Sequence, residues 1–485
     1  MYIKIFQKNI YMQKTYLFYD IESSGLSRTF DQVLQFAAIR SDLNFNEIES
    51  HEILIKMNID TIPNPKSTMV HHLGINFCSK GINEFDGIQY IHKILNNPDT
   101  IILGYNILKF DDKLLQFSFY RNLLPPYIKE IQKSYKQIDL YPILIFYYLF
   151  NSTILKNWPK IDNRISLKLE NINIKNNLFN GKSHNAITDV KTTIALAKKL
   201  KKDKYMWNYL IKFFDKQIDE YRCKNLPIFL SNYEGLMIMG DLGARNQYIS
   251  HVLNIGFRKY YNNQSLWLRI DNPELRKSSL DNLDETTLVL TKKFSKPGFV
   301  LPPLFRYQKK IKENRLKEIK INKKWLLQNP NLFKEIIKYH QDYQYPTLLD
   351  ADSGSTLYSK YNALKFINNI YPNFHKIKWK DRIKMLKNFN QPEIYELAIR
   401  IIGRNFPNLL SNKDKDSFYK YLQNIYAENP TKFIIDHNNQ KRMNLKIAKK
   451  ELQNIFHKKL NKKEKSLLKE ISIYLSDNQK FLQNM

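Results

Sequence analysis

The first 200 residues alternate between short apolar segments with strand spacing and longer segments with helical spacing. In strand spacing, apolar side chains recur at every second residue or fill a short run, whereas in helical spacing they recur every three or four residues. An alternation of this kind predicts an α/β domain whose sheet packs against helices. The predicted strands are 16–22, 33–40, 52–57 and 100–103, and the predicted helices are 84–95, 110–122 and 186–202.

The pattern changes after residue 203. Residues 228–305 contain short apolar and aromatic runs separated by Asn, Gly and Pro, which favours a small module made mainly of β-strands. From about residue 312 onward, charged segments of helical spacing dominate. The predicted fold class is therefore multidomain, with α/β, β and α parts in that order. The predicted domains are 14–200, 203–352 and 356–485.

The composition fits a globular protein that binds a polyanion. The chain has 485 residues, of which 43% are hydrophobic, and its formal net charge is +31 at pH 7. Such a charge favours nucleic acid ahead of a membrane surface as the partner. Only 15 of the 77 basic residues are Arg, in a chain rich in Ile, Asn and Tyr, so part of this charge reflects a compositional bias toward lysine.

Two further features exclude other classes of protein. Cys78 and Cys223 lie far apart and form no CxxC pair, so the sequence predicts neither a disulfide framework nor a zinc site. The longest apolar run, 140–150, contains Pro142 and is too short to span a bilayer. Because the chain also lacks the pattern of a secretory signal, we expect a soluble, cytoplasmic protein.

A pair of acidic residues ends the first predicted strand. Asp20 and Glu22 are two positions apart, so their side chains project from the same face of the strand. Two neighbouring carboxylates repel each other unless a cation neutralises them, and oxygen ligands suit Mg²⁺ or Mn²⁺. An isolated pair of this kind is more often two solvated acids, so the metal site needs further support.

Three more polar residues, Asp111, His184 and Asp189, lie at the starts of predicted helices and could join the first pair. Asp111 opens a predicted helix shortly after the strand that ends at Leu103, and it can point back toward the edge of the sheet where α/β sites form. Asp112 faces about 100° away on the same helix, and we expect it to be solvated. His184 precedes Asp189 by five residues at the start of another helix. Together with the first pair, these residues predict a metal-dependent catalytic site.

These motifs are similar to those of a known superfamily. Asp20-x-Glu22, Asn106-x-x-x-Phe110-Asp111 and His184-x4-Asp189 resemble, in order, the three motifs of the DEDD 3′→5′ exonucleases, and the histidine spacing is that of the DEDDh branch. Several further segments resemble the bacterial exodeoxyribonuclease I family. They are 35–40, 103–106, 119–122, 157–159, 195–198 and 403–407.

The resemblance implies a fold and an activity. It implies a ribonuclease H-like exonuclease domain, an SH3-like domain with a helical extension, and a helical C-terminal domain, which together enclose the strand in a monomer. The implied reaction is 3′→5′ removal of nucleoside 5′-monophosphates from single-stranded DNA, in DNA repair and recombination. Two Mg²⁺ ions, for which Mn²⁺ can substitute, would bind to Asp20, Glu22, Asp189 and Asp111, and His184 would be the general base.

The resemblance also implies substrate contacts. Glu22 would contact the terminal nucleotide, and Ser23 stands where the family commonly has threonine. Lys168 replaces a family arginine that contacts the substrate, so the charge is kept and the bidentate geometry is lost. Tyr127 matches a tyrosine on the DNA path, where it stacks on a base, although packing beneath the two preceding prolines is an equal alternative. Gln116 stands where better-studied members carry a basic residue.

Partners and alternative functions follow from the same comparison. Besides single-stranded DNA, the resemblance implies a second partner, the acidic, apolar tail of the single-stranded DNA-binding protein, which docks on basic residues. Ile145 and Asn151 stand at positions where better-studied members carry basic residues. A DEDDh ribonuclease or polymerase-proofreading subunit is one alternative, against which the long C-terminal half argues. A nucleic-acid-binding protein with impaired catalysis is another, against which the four acids and His184 argue.

Overall fold

The computed structural model describes residues 14–127, 137–181, 184–261, 263–346, 348, 350–358, 361–386 and 388–484. An α/β region, a mainly β region and a helical region follow one another along the chain, which confirms the predicted fold class.

The α/β region is built on a five-stranded sheet. Its order is β3-β2-β1-β4-β5, with β1 antiparallel to β2 and parallel to β4. The apolar residues of β1, such as Leu17 and Phe18, are fully buried, because this strand lies at the centre of the sheet. The strands are β1 Thr15–Ser23, β2 Val33–Ser41, β3 Glu47–Leu54, β4 Thr100–Gly104 and β5 Gln137–Asp139, and a separate hairpin consists of β6 Lys160–Ile161 and β7 Arg164–Ile165.

Seven helices accompany this sheet in the described ranges. The apolar run that starts at Leu140 forms one of them, and it is buried on nearly all sides, as expected for a helix without a polar face. Another, α7, packs on β1 and β2. The helices are α1 Pro65–His71, α2 Ile75–Cys78, α3 Glu84–Leu95, α4 Asp111–Arg121, α5 Leu140–Phe150, α6 Leu169–Asn176 and α7 Ala186–Leu200.

The second region contains an antiparallel sheet in the order β12-β11-β10-β9-β13, with β8 paired to β9. Its strands are β8 Ile228–Phe229, β9 Asn232–Ile238, β10 Ile249–Phe257, β11 Ser265–Arg269, β12 Val289–Lys292 and β13 Phe299–Leu301. Its helices are α8 Lys204–Ile211, α9 Lys216–Lys224, α10 Leu283–Thr286, α11 Phe305–Gln308, α12 Glu313–Gln328 and α13 Pro330–Asp342.

The third region is helical and has its own apolar core, which also contacts Phe85, Phe117 and Tyr120 of the α/β region. Shared burial of this kind holds the two regions together. The helices are α14 Tyr361–Phe374, α15 Trp379–Leu386, α16 Pro392–Asn405, α17 Asn412–Ile425, α18 Leu445–Phe456 and α19 Lys462–Gln483.

A buried cluster of charges joins the first and third regions. Asp60 is completely buried, and its carboxylate accepts hydrogen bonds from Arg404 Nε at 2.9 Å and Nη2 at 2.7 Å. Tyr421 OH donates to it at 2.9 Å, and Arg442 Nη2 donates at 3.3 Å. Arg404 belongs to the late segment 403–407 that the sequence singled out, and here it pairs with a residue 344 positions earlier.

Only one predicted element of the α/β region has a boundary that differs from the structure by more than two residues. The third strand is Glu47–Leu54 rather than 52–57, because its first half is polar and partly exposed at the edge of the sheet, where apolar residues are not required. The predicted domain limits, and the SH3-like class of the β region, stay predictions. In the described part of the chain, no helix combines the length and the apolarity that crossing a membrane requires.

Candidate active site

The central strand supplies the first two carboxylates. Asp20 lies opposite Ala37 and Glu22 lies opposite Gln35 in the β1–β2 register. Because strand side chains alternate, Asp20 and Glu22 project from the same face, near the end of β1. The register shifts between Glu22 and Ser23, so the strand pairing becomes irregular just beyond the second carboxylate.

The start of α4 supplies the third carboxylate. Asp111 is the first residue of α4, and the backbone of Ile21 is close enough to lower the pKa of its carboxyl, which places it beside β1. The preceding loop is held by Asp139, whose carboxylate accepts from the backbone N–H of Asn106 at 2.7 Å and of Leu108 at 3.2 Å. This support from β5 was not found from the sequence, because Asp139 comes more than 30 residues after the loop and has no local pattern.

The start of α7 supplies His184 and Asp189. Asn185 is the N-cap of α7, and Asp189 Oδ2 accepts from the backbone N–H of His184 at 3.2 Å. Ligand atoms of Glu22, His184 and Asp189 all lie within 4.8 Å of one another. The structure therefore brings together residues that are separated by about 160 positions in the sequence.

His184 has a carboxylate partner that the sequence did not predict. Its Nε2 lies 2.8 Å from Oε2 of Glu170, and its side chain is 42% exposed. Glu170 lies in the first turn of α6, two residues after Lys168, and no local sequence pattern links it to His184. A carboxylate on one ring nitrogen orients the ring and fixes which nitrogen carries the proton in the neutral imidazole.

The carboxylates raise one another's pKa. Burial, and then Asp111, Glu22 and Asp189, raise the pKa of Asp20 well above its usual value. Burial and the neighbouring carboxylates raise the pKa of Glu22 to about 8 and of Asp111 to about 8. Burial raises the pKa of Asp189 to about 6, against the opposing effect of His184. Acids crowded in this way are stabilised in their charged form by a bound cation.

The donor set fits a hard divalent cation. Four carboxylates and one imidazole converge at the sheet edge, and oxygen-rich sites of this kind suit Mg²⁺ or Mn²⁺. The repulsion between the acids is the observation that supports this assignment, because without a cation part of the cluster must hold protons at neutral pH. The site can therefore bind metal ions and place them beside a histidine.

A cavity of about 900 Å³ lies between the α/β and β regions, and its described lining includes none of the five residues of this cluster. Its wall reaches Asn106 and Asp112, which are close in sequence to Asp111. Burial, together with Lys296, Lys293 and Arg28, lowers the pKa of Lys113, so the cations at this wall repel one another as the acids do. The basic and aromatic side chains of the lining are Lys109, Lys113, Lys216, Lys293, Lys296, Tyr19, Phe119, Tyr127, Tyr141, Phe214 and Tyr345.

The candidate substrate contacts lie in different environments. Tyr127 is 46% exposed at the cavity wall. Lys168 is exposed just before α6, whereas the buried Ser23 hydroxyl donates to the carbonyl of Gly25 at 2.7 Å. Gln116 also lines the cavity, but its amide donates to Asp112 at 2.8 Å and its carbonyl accepts from Tyr358. Their roles toward substrate stay predictions.

The expectation that Asp112 is solvated is wrong. Its side chain is buried, because Gln116 and Gln137 both donate to its carboxylate, the second at 2.7 Å. Lys296 in turn donates to Gln137 at 2.6 Å, so a chain of polar contacts links the β region to α4. Helical geometry does turn Asp112 away from Asp111, but β5 covers that side of α4 and buries the side chain.

Comparisons with known proteins agree with this geometry. Residues 17–197 match the family described as Exonuclease. Exodeoxyribonuclease I of Buchnera aphidicola subsp. Baizongia pistaciae is 32% identical over 257 residues, covering 51% of each chain. Exodeoxyribonuclease I of Buchnera aphidicola subsp. Schizaphis graminum is 28% identical over 449 residues, covering 86% of this chain and 88% of the relative.

A solved structure is similar over nearly the whole chain. The structure of E. coli exonuclease I in complex with a dA16 oligonucleotide has a TM-score of 0.79 and 22% identity, and the match covers 96% of this chain and 100% of that one. This likeness shows a common fold. The aligned part spans about half the length of the first relative and most of the second.

Proposed function

We propose, from the premise that this chain belongs to the bacterial exodeoxyribonuclease I family, that it removes nucleoside 5′-monophosphates from the 3′ end of single-stranded DNA. The observation that carries this proposal is the cluster of four carboxylates and a histidine, and a lysine- and tyrosine-lined cavity between the α/β and β regions supports it. The cluster suits phosphodiester hydrolysis, and the cavity suits a flexible polyanion with exposed bases.

Asp20, Glu22, Asp111 and Asp189 are the residues that would hold two Mg²⁺ ions. Bound there, the ions would supply charge stabilisation to the scissile phosphate and lower the pKa of a water molecule. The protein contributes a fixed set of ligands on three elements, β1, α4 and α7. The choice of Mg²⁺ over other divalent ions rests on the oxygen-rich donor set.

His184 would take the proton from the attacking water. Glu170 accepts from Nε2 in the neutral imidazole, which leaves the lone pair of Nδ1 as the proton acceptor. The near-neutral reference pKa of histidine suits this role at physiological pH. Glu170 therefore acts through His184, as a positioning residue.

The cavity would hold the strand that leads to the site. Its lysines would contact phosphates, and Tyr127, Tyr141 and Tyr345 offer rings on which bases can stack. The cavity is bordered by the α/β and β regions, so a strand inside it contacts both of them. A duplex is wider and stiffer than a single strand, so we expect digestion to stop where a duplex begins.

A digestion experiment tests the proposal and separates the alternatives. Single-stranded DNA and RNA of one sequence, each with a 5′ label, are incubated with the full chain in Mg²⁺ or in a chelator. We expect metal-dependent shortening of the DNA and little change in the RNA. Preferential shortening of RNA would favour a DEDDh ribonuclease, and binding without shortening would favour an impaired enzyme.

The acidic, apolar tail of the single-stranded DNA-binding protein is the protein partner that we propose. Asn151, at a position where the family has a basic residue, donates to Asp203 at 2.8 Å, and Ile145 is fully buried, so neither offers a charge to such a tail. Arg306 on α11 is exposed. It lies near Asn151, because its neighbour Tyr307 packs on Phe150 with ring centroids 5.2 Å apart.

The surface around α11 combines the two properties that such a tail needs. Leu304 and Phe305 are exposed, and the basic residues Arg306, Lys309 and Lys310 lie beside them. We expect Arg306→Ala to weaken binding of a labelled tail peptide, measured by fluorescence anisotropy, while Lys198→Ala on α7 does not. Equal affinities would place the tail elsewhere. The expected cytoplasmic location and monomeric state stay predictions.

A further inference from the structure

Helix α1 lies next to the end of the strand that carries Glu22, because the backbone N–H of its N-cap, Asn64, donates to the carbonyl of Ser24 at 2.7 Å. His71, the last residue of α1, is buried, and its pKa is lowered by burial to about 4, with a further contribution from His184. Its Nδ1 accepts from the backbone N–H of Leu73 at 2.9 Å, so the ring is neutral with its proton on Nε2. The loop between α1 and α2, residues 72–74, is therefore part of the surroundings of the site.

The C-terminal helix α19 holds this loop. Oε2 of Glu470 accepts from the backbone N–H of Asn76 at 3.1 Å. A Cβ atom at Gly74 would lie 2.5 Å from Oε2 of Glu470 and 2.9 Å from Cδ2 of Leu467, so the loop and α19 are in close contact there. This contact joins two segments that are 394 residues apart in the chain.

A second contact of α19 holds the segment that precedes α1. The hydroxyl of Tyr474 donates to the carbonyl of Asn58 at 2.9 Å and also lies 3.2 Å from the carbonyl of Thr61. The ring of Tyr474 packs with Leu34, Met57 and Leu73, which connect this contact to β2 and to the loop. Side chains on successive turns of one helix thus hold both ends of the segment that contains α1.

We propose that α19 positions the α1–α2 loop at the catalytic site, with Glu470 as the positioning residue. The proposal rests on the proposed function, since it concerns the rate of that reaction. Glu470 is a hydrogen-bond acceptor for a backbone N–H at the start of α2, and its loss frees the loop beside His71 and His184. A displacement of about 1 Å near a reacting centre can lower the rate about 100-fold.

The test separates positioning of the site from holding of the strand. Glu470→Ala, Glu470→Gln and the wild type are compared on a trinucleotide and on a long single-stranded oligonucleotide, with kcat and KM measured for each. We expect Glu470→Ala to lower kcat about 10-fold on both substrates with KM nearly unchanged. Glu470→Gln should retain kcat, because its amide oxygen can still accept from Asn76.

Glu451→Gln is the matched control. Glu451 lies on α18 and contacts Lys66 of α1 at 2.9 Å, so it belongs to the same interface but does not contact the loop. We expect wild-type kcat for this variant. Glu470→Ala could be less thermally stable than the wild type, and Tyr474→Phe, which loses only a hydroxyl, then serves as the second variant. For the proposal to stand, Tyr474→Phe must also lower kcat, by a smaller factor than Glu470→Ala.

Two results would overturn the proposal. An unchanged kcat for both Glu470→Ala and Tyr474→Phe would show that α19 does not position the site. An increase in KM confined to the long oligonucleotide would show that α19 helps to hold the strand instead. If the wild type shortens neither substrate in Mg²⁺, the proposed function itself is wrong, which is a different result from either of these.

Discussion

The buried carboxylate of Asp60 offers a sharp test of how the helical region is attached. Burial by itself would raise the pKa of Asp60, but Arg404 and Arg442 outweigh this effect and hold the pKa well below its usual range. We therefore expect Asp60→Asn to destabilise the protein strongly. The variant keeps the size of the side chain but leaves two buried guanidinium groups without this counter-charge.

The expected magnitude follows from the contacts. Removing one partner of a buried ion pair costs about 3–5 kcal/mol. We expect the lower end, about 3 kcal/mol, because Arg404 keeps a second carboxylate, that of Glu84, at 3.4 Å. For a cooperative unit of 150–250 residues, this corresponds to a decrease in Tm of about 6–12 °C.

Thermal unfolding of Asp60→Asn and a control variant provides the measurement. Lys66→Met removes an ion pair across the same interface, but Lys66 is 64% exposed, so its loss should cost less than about 1 kcal/mol. The pKa of Asp60 is lower in the folded protein than in the unfolded chain. The stabilisation by its carboxylate is therefore present above about pH 4 and is lost as the pH falls further. The two variants should therefore differ at pH 7 and converge in acid. Equal Tm values at pH 7 would refute this reasoning.

Three other predictions concern the site and the cavity. Asp189→Asn should lower cleavage about 10³-fold by removing a metal ligand, while DNA affinity measured by anisotropy stays within a few-fold; near wild-type cleavage would contradict the ligand assignment. Because the pKa values of Glu22 and Asp111 are raised to about 8, both must lose protons to bind metal, so Mg²⁺ affinity should rise between pH 6 and 9. Calorimetry in buffers of different ionisation enthalpy should detect the released protons, and a pH-independent affinity would contradict it. Lys296→Met should weaken DNA binding, and the slope of log affinity against log salt concentration should become less steep by about 0.7 per lost phosphate contact. Lys198 is exposed on α7, and Lys198→Met should change neither the affinity nor the slope.

Local sequence patterns were sufficient to place the carboxylates of the candidate site. The alternation of strand side chains places Asp20 and Glu22 on one face, and a helix start places Asp111 and Asp189 at the ends of their elements. Both rules act over a few residues, so they can be applied without knowledge of the tertiary structure. Strand β4 was predicted from a short apolar run, which is also a local pattern.

Contacts between distant segments could not be predicted in this way. Glu170 reaches His184 only because α6 returns to the start of α7, and Asp112 is buried only because Gln137 lies against it. Asp60 shows the same limit, since its partner Arg404 lies in another region of the chain. The sequence marks such residues as ordinary polar positions until the packing of the elements is known.

The products and the direction of digestion test the central claim most directly. One single-stranded oligonucleotide carries a label in its 3′-terminal nucleotide, and a second carries a label at its 5′ end. In Mg²⁺, we expect the 3′ label to be released first, as a nucleoside 5′-monophosphate, while the 5′ label stays on progressively shorter strands. Release of the 5′ label first, internal cutting, or products with a 3′-phosphate would contradict the assignment of a 3′→5′ exonuclease site to the cluster around Asp20.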